Sequence, residues 1–132
     1  NVTVRPSGKN IISEETFPEY FMKKELQNET INAYKDIESF ALCVASLWNI
    51  KVRFFGEEPI DKVTRQYNEQ MKSTFPEFYI NTVEIPRKEM NNEVISASRV
   101  RFLLEQKDFV SIEKLVPKST LKYLKKIRNR II

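Results

Sequence analysis

The chain contains no histidine and only one cysteine, Cys43. Without histidine there can be no Ser–His–Asp triad and no histidine-ligated metal site. A single cysteine cannot form an internal disulfide or a zinc cluster. This usage fits a reducing compartment, so we expect a cytoplasmic protein. Because Cys43 falls among the apolar positions of a helical pattern, we interpret it as a small core residue rather than a nucleophile.

Glycine-rich phosphate loops are also missing. The chain has two glycines and contains neither the G-x-x-x-x-G-K-[ST] loop nor the G-x-G-x-x-G turn. No stretch approaches the roughly 18 consecutive apolar residues of a membrane span, and residues 1–10 lack the apolar core of a signal peptide. Because the chain opens abruptly at Asn1 with a strand-like segment, we expect it to be a fragment of a longer polypeptide.

The net charge is mildly positive, at +4, and much of the excess lies in residues 118–130, which include no acidic residue. Such a run can bind nucleic acid or an anionic surface. More often it is the solvent-facing side of a terminal helix, and we favour that interpretation.

Apolar periodicity predicts the order of strands and helices. Strands are predicted over residues 2–5, 51–55 and 79–85. Helices are predicted over a central segment with Asn28 as its N-cap, over residues 62–74 with Asp61 as its N-cap, from residue 98, over 108–115, and from 119. The apolar stripe of the central helix comprises Ile37, Phe40, Ala41, Val44, Leu47 and Trp48, and we expect it to pack on a sheet. Alternation of strands and helices implies parallel strands joined by helical crossovers. We therefore predict an α/β protein with a Rossmann-like parallel sheet, helices on both faces, and an incomplete N-terminal end.

Two loops of this predicted sheet leave strands at the edge where ligands bind, residues 56–59 and 87–96. The second loop delivers the sequence "SASRVR" to a helix N-terminus, which has unpaired N–H groups and a partial positive charge. Ser96 and Ser98 add hydroxyl donors, Arg101 lies one turn into the helix, and Arg99 contributes if its face points inward. Together these groups predict an anion site suited to polyphosphate.

A simpler interpretation stays open, because serine is a common helix cap and both arginines could be solvated. The loop after "RFF" is equally ambiguous. Glu57 and Glu58 could face solvent as a pair, or they could bind a ribose hydroxyl or an amine edge.

The segment "ISASRVR" resembles the I-S-S-T-x-x-R motif of the nucleotidyltransferase superfamily. The segments "ISEETFPEYFMK", "RFFGEEP", "YNEQMK", "VEIPRKE" and "LVP" occur in the order found in the citrate lyase ligase family. This resemblance covers nearly the whole chain, and it implies a nucleotidyltransferase or HUP-type fold. It also implies an ATP-dependent ligase that activates acetate as acetyl-adenylate and acetylates the thiol prosthetic group on the acyl-carrier subunit of citrate lyase, releasing AMP and pyrophosphate.

By the same resemblance, Ser96, Ser98 and Arg101, with Arg99 beside them, would bind the ATP phosphates, and Mg²⁺ would accompany the nucleotide. Gly56 would let the nucleotide approach the backbone, and Glu57 would lie near its sugar or base. Two alternatives remain: a nucleotidyltransferase for another small molecule, and a non-catalytic basic module that binds nucleic acid. We favour no nucleic-acid partner and no membrane partner.

The family's upstream H-x-G-H motif and acetyltransferase-like N-terminal domain have no counterpart here. We therefore interpret residues 1–132 as the C-terminal portion of one adenylyltransferase-like catalytic domain, with no catalytic residue of that motif and no protein metal ligands. We expect this chain alone to lack acetate-dependent ATP–pyrophosphate exchange. We also expect self-association through apolar surface that a missing strand and helix would leave uncovered.

Overall fold

The computed structural model describes residues 1–128. The chain forms two compact units, an amino-terminal unit, Asn1–Pro86, and a carboxy-terminal unit, Arg87–Ile132. Arg130, the last residue of the basic run noted above, lies outside the described residues. Among residues 1–128, no helix is long and apolar enough to cross a membrane.

The amino-terminal unit is built around a two-stranded parallel sheet. Its elements in chain order are a 3₁₀ turn at Pro18–Met22, helix α1 at Tyr34–Ser39, a π-helical segment at Phe40–Ala45, helix α2 at Ser46–Trp48, strand β1 at Val52–Gly56, helix α3 at Lys62–Thr74, a 3₁₀ turn at Phe75–Phe78 and strand β2 at Asn81–Ile85. The two strands pair in register from Val52 with Asn81 to Gly56 with Ile85. The predicted strand–helix–strand crossover is therefore confirmed, and this unit is α/β.

Helix α3 begins where the sequence predicted, because Asp61 caps it: the carboxylate accepts a hydrogen bond of 3.1 Å from the backbone N–H of Val63. Its buried face carries Val63, Tyr67 and Met71, at helical spacing. Around this face lies one apolar core, formed by Phe17, Ile31, Ala33, Ile37, Phe40, Ala41, Ala45, Val63, Tyr67, Met71, Phe75 and Ile80.

Only one face of the sheet is covered. Arg53 and Phe55 of β1 are half-buried, whereas Val52 and Phe54, which point to the opposite face, are exposed, Phe54 by 60%. Val83, the register partner of Phe54, is also exposed. Within the amino-terminal unit the helices thus cover one face of the sheet, and the prediction of helices on both faces is wrong for this unit.

The predicted strand over residues 2–5 is absent from the structure. Val2 and Val4 are almost fully exposed, and no described strand pairs with this segment. A strand needs a ladder partner for its backbone groups, and alternation alone does not supply one. Instead, the Arg5 guanidinium lies 4.2 Å from the ring centroid of Trp48, which holds the segment by a cation–π contact.

The central helix departs from its predicted start. It begins at Tyr34, with Ala33 rather than Asn28 at the N-cap position. The next segment, Phe40–Ala45, is π-helical, and Phe40, Ala41 and Ala45 within it are buried. Val44 is partly buried and packs against the same core, as predicted.

Three residues predicted for the interior are exposed. Leu47 is 75% exposed and Trp48 49% exposed. Cys43 is a free, exposed cysteine rather than the predicted core residue.

The carboxy-terminal unit consists of a short hairpin and three helices. Its elements are strand β3 at Glu89–Met90, strand β4 at Glu93–Val94, helix α4 at Ala97–Glu105, helix α5 at Phe109–Leu115 and helix α6 at Lys118–Arg128. The hairpin replaces a predicted loop, and Asn91 and Asn92 form its turn with positive φ values of 54° and 61°. Ile112 and Leu121 are buried in this unit.

Candidate functional site

The N-terminus of α4 is built from the predicted serines. Ser96 is the N-cap residue, with extended backbone, and its Oγ accepts a hydrogen bond of 3.2 Å from the N–H of Arg99. The first helical N–H groups, of Ala97 and Ser98, have no intrahelical acceptor. The Ser96 hydroxyl uses a lone pair as the cap, and its proton remains available to an anion.

Arg101 folds back toward this helix end. Its Nη2 donates a hydrogen bond of 3.1 Å to Oγ of Ser98, and both side chains are exposed. A guanidinium offers five N–H donors, so this contact leaves most of them available. The structure therefore brings Ser96, Ser98 and Arg101 to one end of α4, with donors directed to solvent.

Arg99 is held differently. Its guanidinium forms an ion pair with the carboxylate of Glu93 in β4. An anion at the helix end would have to compete with this carboxylate for Arg99. Of the two arginines in "SASRVR", Arg101 is thus the one that has no acidic partner among the described residues.

Gly56 and Glu57 belong to the amino-terminal unit, at the carboxyl end of β1. The carbonyl of Gly56 accepts a hydrogen bond of 2.9 Å from Nδ2 of the buried Asn68, and the N–H of Glu57 donates one of 2.9 Å to Ile85. A Cβ built on Gly56 would meet no atom within 4 Å. The packing of the fold therefore does not require glycine at this position.

The loop that follows β1 ends at Asp61, whose carboxylate is held by an ion pair and hydrogen bonds. Nζ of Lys23 lies 2.7 Å from Oδ2 of Asp61, and Nε2 of Gln27 donates a hydrogen bond of 3.0 Å to Oδ1. Partial burial favours the neutral acid, but hydrogen bonds from Gln27, Lys23 and Thr64 outweigh it. Together with the charge of Lys23, they hold the pKa of Asp61 well below its usual range.

A buried polar group that the sequence patterns did not reveal lies beneath the sheet. Asp36 is fully buried, and it accepts hydrogen bonds from the hydroxyl of Tyr67, at 2.7 Å, and from the N–H of Ile12, at 2.5 Å. Burial first, and the charge of Asp36 second, raise the pKa of Tyr67 well above its usual range. Nearby, the guanidinium of Arg53 lies 4.5 Å from the ring centroid of Phe40. Because its groups are buried and hydrogen-bonded to one another, we assign this network to stability.

Metal binding by protein side chains finds no support in the part of the chain that the structure describes. No group of three Cys, Asp or Glu residues there is close enough to hold an ion.

The chain thus has a mixed α/β fold with a parallel sheet, and the N-terminus of α4 carries two serines and an arginine. Residues 1–124 match the family model of the citrate lyase ligase C-terminal domain. The chain belongs to this family. No solved structure matches it.

Three curated relatives carry the name [Citrate [pro-3S]-lyase] ligase. The Haemophilus influenzae protein is 38% identical over 133 residues, with 96% of this chain and 39% of the relative covered. The Klebsiella pneumoniae protein is 37% identical over 93% of this chain and 37% of the relative. The Escherichia coli K12 protein is 37% identical over 96% and 37%. The chain thus spans less than two fifths of the length of the relatives it matches.

Proposed function

We propose that this chain supplies the phosphate-binding part of an ATP-dependent ligase that acts on citrate lyase. The family match and the names of the relatives support the ligase assignment. The observation that carries the phosphate role is the arrangement at α4, where the Ser96 cap, Ser98 and Arg101 gather donors around a helix N-terminus.

In the proposed reaction, an acetate oxygen attacks the α-phosphorus of ATP and the bond to the bridging oxygen of the β-phosphate breaks. Pyrophosphate leaves and acetyl-adenylate forms. The thiol of the citrate lyase prosthetic group then loses its proton and attacks the acetyl carbon, and AMP leaves. Charge builds on the leaving pyrophosphate, where the fixed donors at α4 would stabilise it; Mg²⁺, if bound to the phosphates, would supply further charge neutralisation.

The residues at α4 fit that task by their chemistry. Arg101 supplies a permanent charge and a planar fork that matches two phosphate oxygens. The Ser96 and Ser98 hydroxyls and the N–H groups of the first turn supply neutral donors.

Titration calorimetry with inorganic pyrophosphate and Mg²⁺ tests the phosphate role on the purified chain. We expect Arg101→Ala to weaken pyrophosphate binding roughly tenfold or more, because a charged hydrogen bond is lost. Arg101→Lys should recover part of that loss. The matched control is Lys114→Ala, which removes one positive charge from the exposed side of α5. Equal affinity of the wild type and Arg101→Ala, or equal losses in Arg101→Ala and Lys114→Ala, would refute a specific site.

A further inference from the structure

Positive charge is concentrated in one of the two units. The carboxy-terminal unit contains 12 Lys and Arg residues against 5 Asp and Glu, whereas the amino-terminal unit contains 10 against 13. The excess of the whole chain therefore comes from residues 87–132. Charge asymmetry of this size between two parts of one chain indicates a charged partner for one of them.

Within that unit, α6 has two unlike faces. Leu121 is buried and Leu124 and Ile127 are half-buried, so this face anchors the helix. The opposite face carries four exposed lysines: Lys118, Lys122, Lys125 and Lys126. At about 100° and 1.5 Å per residue, these lysines form a stripe roughly 100° wide and 12 Å long.

The lysine stripe has no acidic counterpart within the described residues. Helix α6 contains no Asp or Glu, and the ion pairs of residues 1–128 include none of the four lysines. Lys118 with Lys122, and Lys122 with Lys126, stand four residues apart, a spacing at which like charges repel. On a solvent-facing helix, a glutamate four residues from a lysine would remove this repulsion. Carboxylates from a partner would remove it here.

We propose that the lysine stripe of α6 docks an acidic surface of the protein on which the ligase acts, and this inference rests on the proposed function. A protein fits better than nucleic acid for two reasons. The stripe is made of lysines, whereas the guanidinium fork of arginine is the group best suited to nucleic-acid recognition. The one exposed aromatic side chain of α6, Tyr123, lies beside the stripe and not within it, so there is no stacking platform.

Binding of citrate lyase to the immobilised wild-type chain tests the proposal, with deacetylated citrate lyase as the analyte in biolayer interferometry. We expect Lys122→Glu/Lys126→Glu to weaken binding, raising the Kd roughly tenfold, mainly because association becomes slower. Raising the salt from about 50 to 200 mM should weaken wild-type binding and should affect the double variant less. The matched control is Lys24→Glu/Lys51→Glu, which reverses two exposed lysines of the amino-terminal unit and changes the net charge equally.

Three outcomes would overturn the docking proposal. They are equal affinity of the wild type and the α6 variant, equal losses in the α6 variant and its control, and tighter binding of a 30-base-pair DNA duplex than of citrate lyase. Circular dichroism of each variant verifies that α6 is retained. Pyrophosphate titration of the same proteins separates this proposal from the proposed function, because the α6 variant should bind pyrophosphate like the wild type. If the α6 variant binds both citrate lyase and pyrophosphate like the wild type, the lysine stripe is not the docking surface, and the proposed phosphate site is unaffected.

Discussion

The hydroxyl of Tyr67 donates a hydrogen bond of 2.7 Å to Oδ2 of Asp36, and both side chains are buried. Tyr67 comes from α3 and Asp36 from α1, while the N–H of Ile12 reaches the other carboxylate oxygen. One carboxylate therefore joins three separate segments under the sheet. A buried charge is tolerated only where its oxygens are satisfied, so each donor in this network matters for stability.

Replacing Tyr67 by phenylalanine keeps the ring, which stacks on Phe17 at a centroid distance of 5.1 Å, and removes only the hydroxyl. We expect Tyr67→Phe to lower the free energy of unfolding by about 1–3 kcal/mol, because Oδ2 of Asp36 loses its donor. Urea denaturation at neutral pH measures this. Tyr123→Phe, at an exposed position, is the control and should change stability by less than about 0.5 kcal/mol. A similar loss in both variants would contradict this role of the network.

The same network predicts a loss of stability at alkaline pH. Burial first, and then Asp36, raise the pKa of Tyr67 in the folded protein above its ordinary value of 10.0. From about pH 10 upward the unfolded chain loses this proton, whereas the folded chain keeps it, so ionisation favours unfolding and stability falls. Urea denaturation between pH 8 and about 11 should show a steeper decline for the wild type than for Tyr67→Phe. Parallel declines would show that Tyr67 is not the titrating group responsible.

Local signals in the sequence identified the elements whose ends depend on one side chain. Asp61 was predicted from its position before an apolar periodic segment, and it caps α3. Asp108 caps α5 in the same way, by accepting a hydrogen bond of 3.0 Å from the N–H of Ser111. The parallel pairing of β1 with β2 followed from the alternation of strands and helices. The two caps are set by a few neighbouring residues, and the pairing follows a general rule for strand–helix–strand crossovers, which is why the sequence was sufficient for both.

Features that depend on distant parts of the chain were not predictable in this way. Periodicity treats Asp36 as a solvent-facing charge, because its donors, Tyr67 and Ile12, are 31 and 24 residues away in sequence. Periodicity also places Leu47 and Trp48 on the apolar stripe, but both follow the π-helical segment, near the end of the helix, and are exposed.

The candidate site was predictable in part. The motif "SASRVR" indicated a serine cap and an arginine one turn further on, and the structure has both at α4. The ion pair of Arg99 with Glu93 depends on the β3–β4 hairpin, whose turn was read as a loop. Phosphate binding by these residues stays a prediction.

The Asp61 carboxylate predicts a loss of stability in acid. Its folded pKa is held low mainly because hydrogen bonds from Gln27, Lys23 and Thr64, with the Lys23 charge, outweigh partial burial. A lowered folded pKa adds stability above the unfolded value of about 3.8, and that stability is lost as the pH falls below it. We expect Asp61→Asn to cost about 1–3 kcal/mol at pH 6 and clearly less at pH 3.

Urea denaturation of the wild type and Asp61→Asn at the two pH values measures that difference. Glu77→Gln, at an exposed position of the 3₁₀ turn Phe75–Phe78, is the control for loss of one carboxylate. A cost of Asp61→Asn that is the same at both pH values would place the effect in the shape of the side chain rather than in its charge.

Gln70 is expected to stabilise the segment that leads into α1. Its Oε1 accepts a hydrogen bond of 2.7 Å from the N–H of Ala33, and its Nε2 donates one of 2.9 Å to the carbonyl of Ile31. Gln70→Glu keeps the acceptor and loses the donor, and it places a carboxylate beside a carbonyl. We expect faster amide exchange at Ala33 and a loss of about 1–2 kcal/mol, with Glu69→Gln as the exposed control. An unchanged rate of amide hydrogen exchange at Ala33 would contradict this stabilising role of Gln70.

Substitutions at Ser96 can separate a helix cap from a phosphate site. Ser96→Ala removes the acceptor for the N–H of Arg99, so it should cost about 1 kcal/mol of stability and weaken pyrophosphate binding. Aspartate is an equally good N-cap, and its charge favours the helix N-terminus, but it repels phosphate. We therefore expect Ser96→Asp to keep wild-type stability in urea and to abolish pyrophosphate binding in calorimetry. Wild-type affinity in Ser96→Asp would mean that Ser96 only caps α4 and that the anion, if one binds, lies elsewhere.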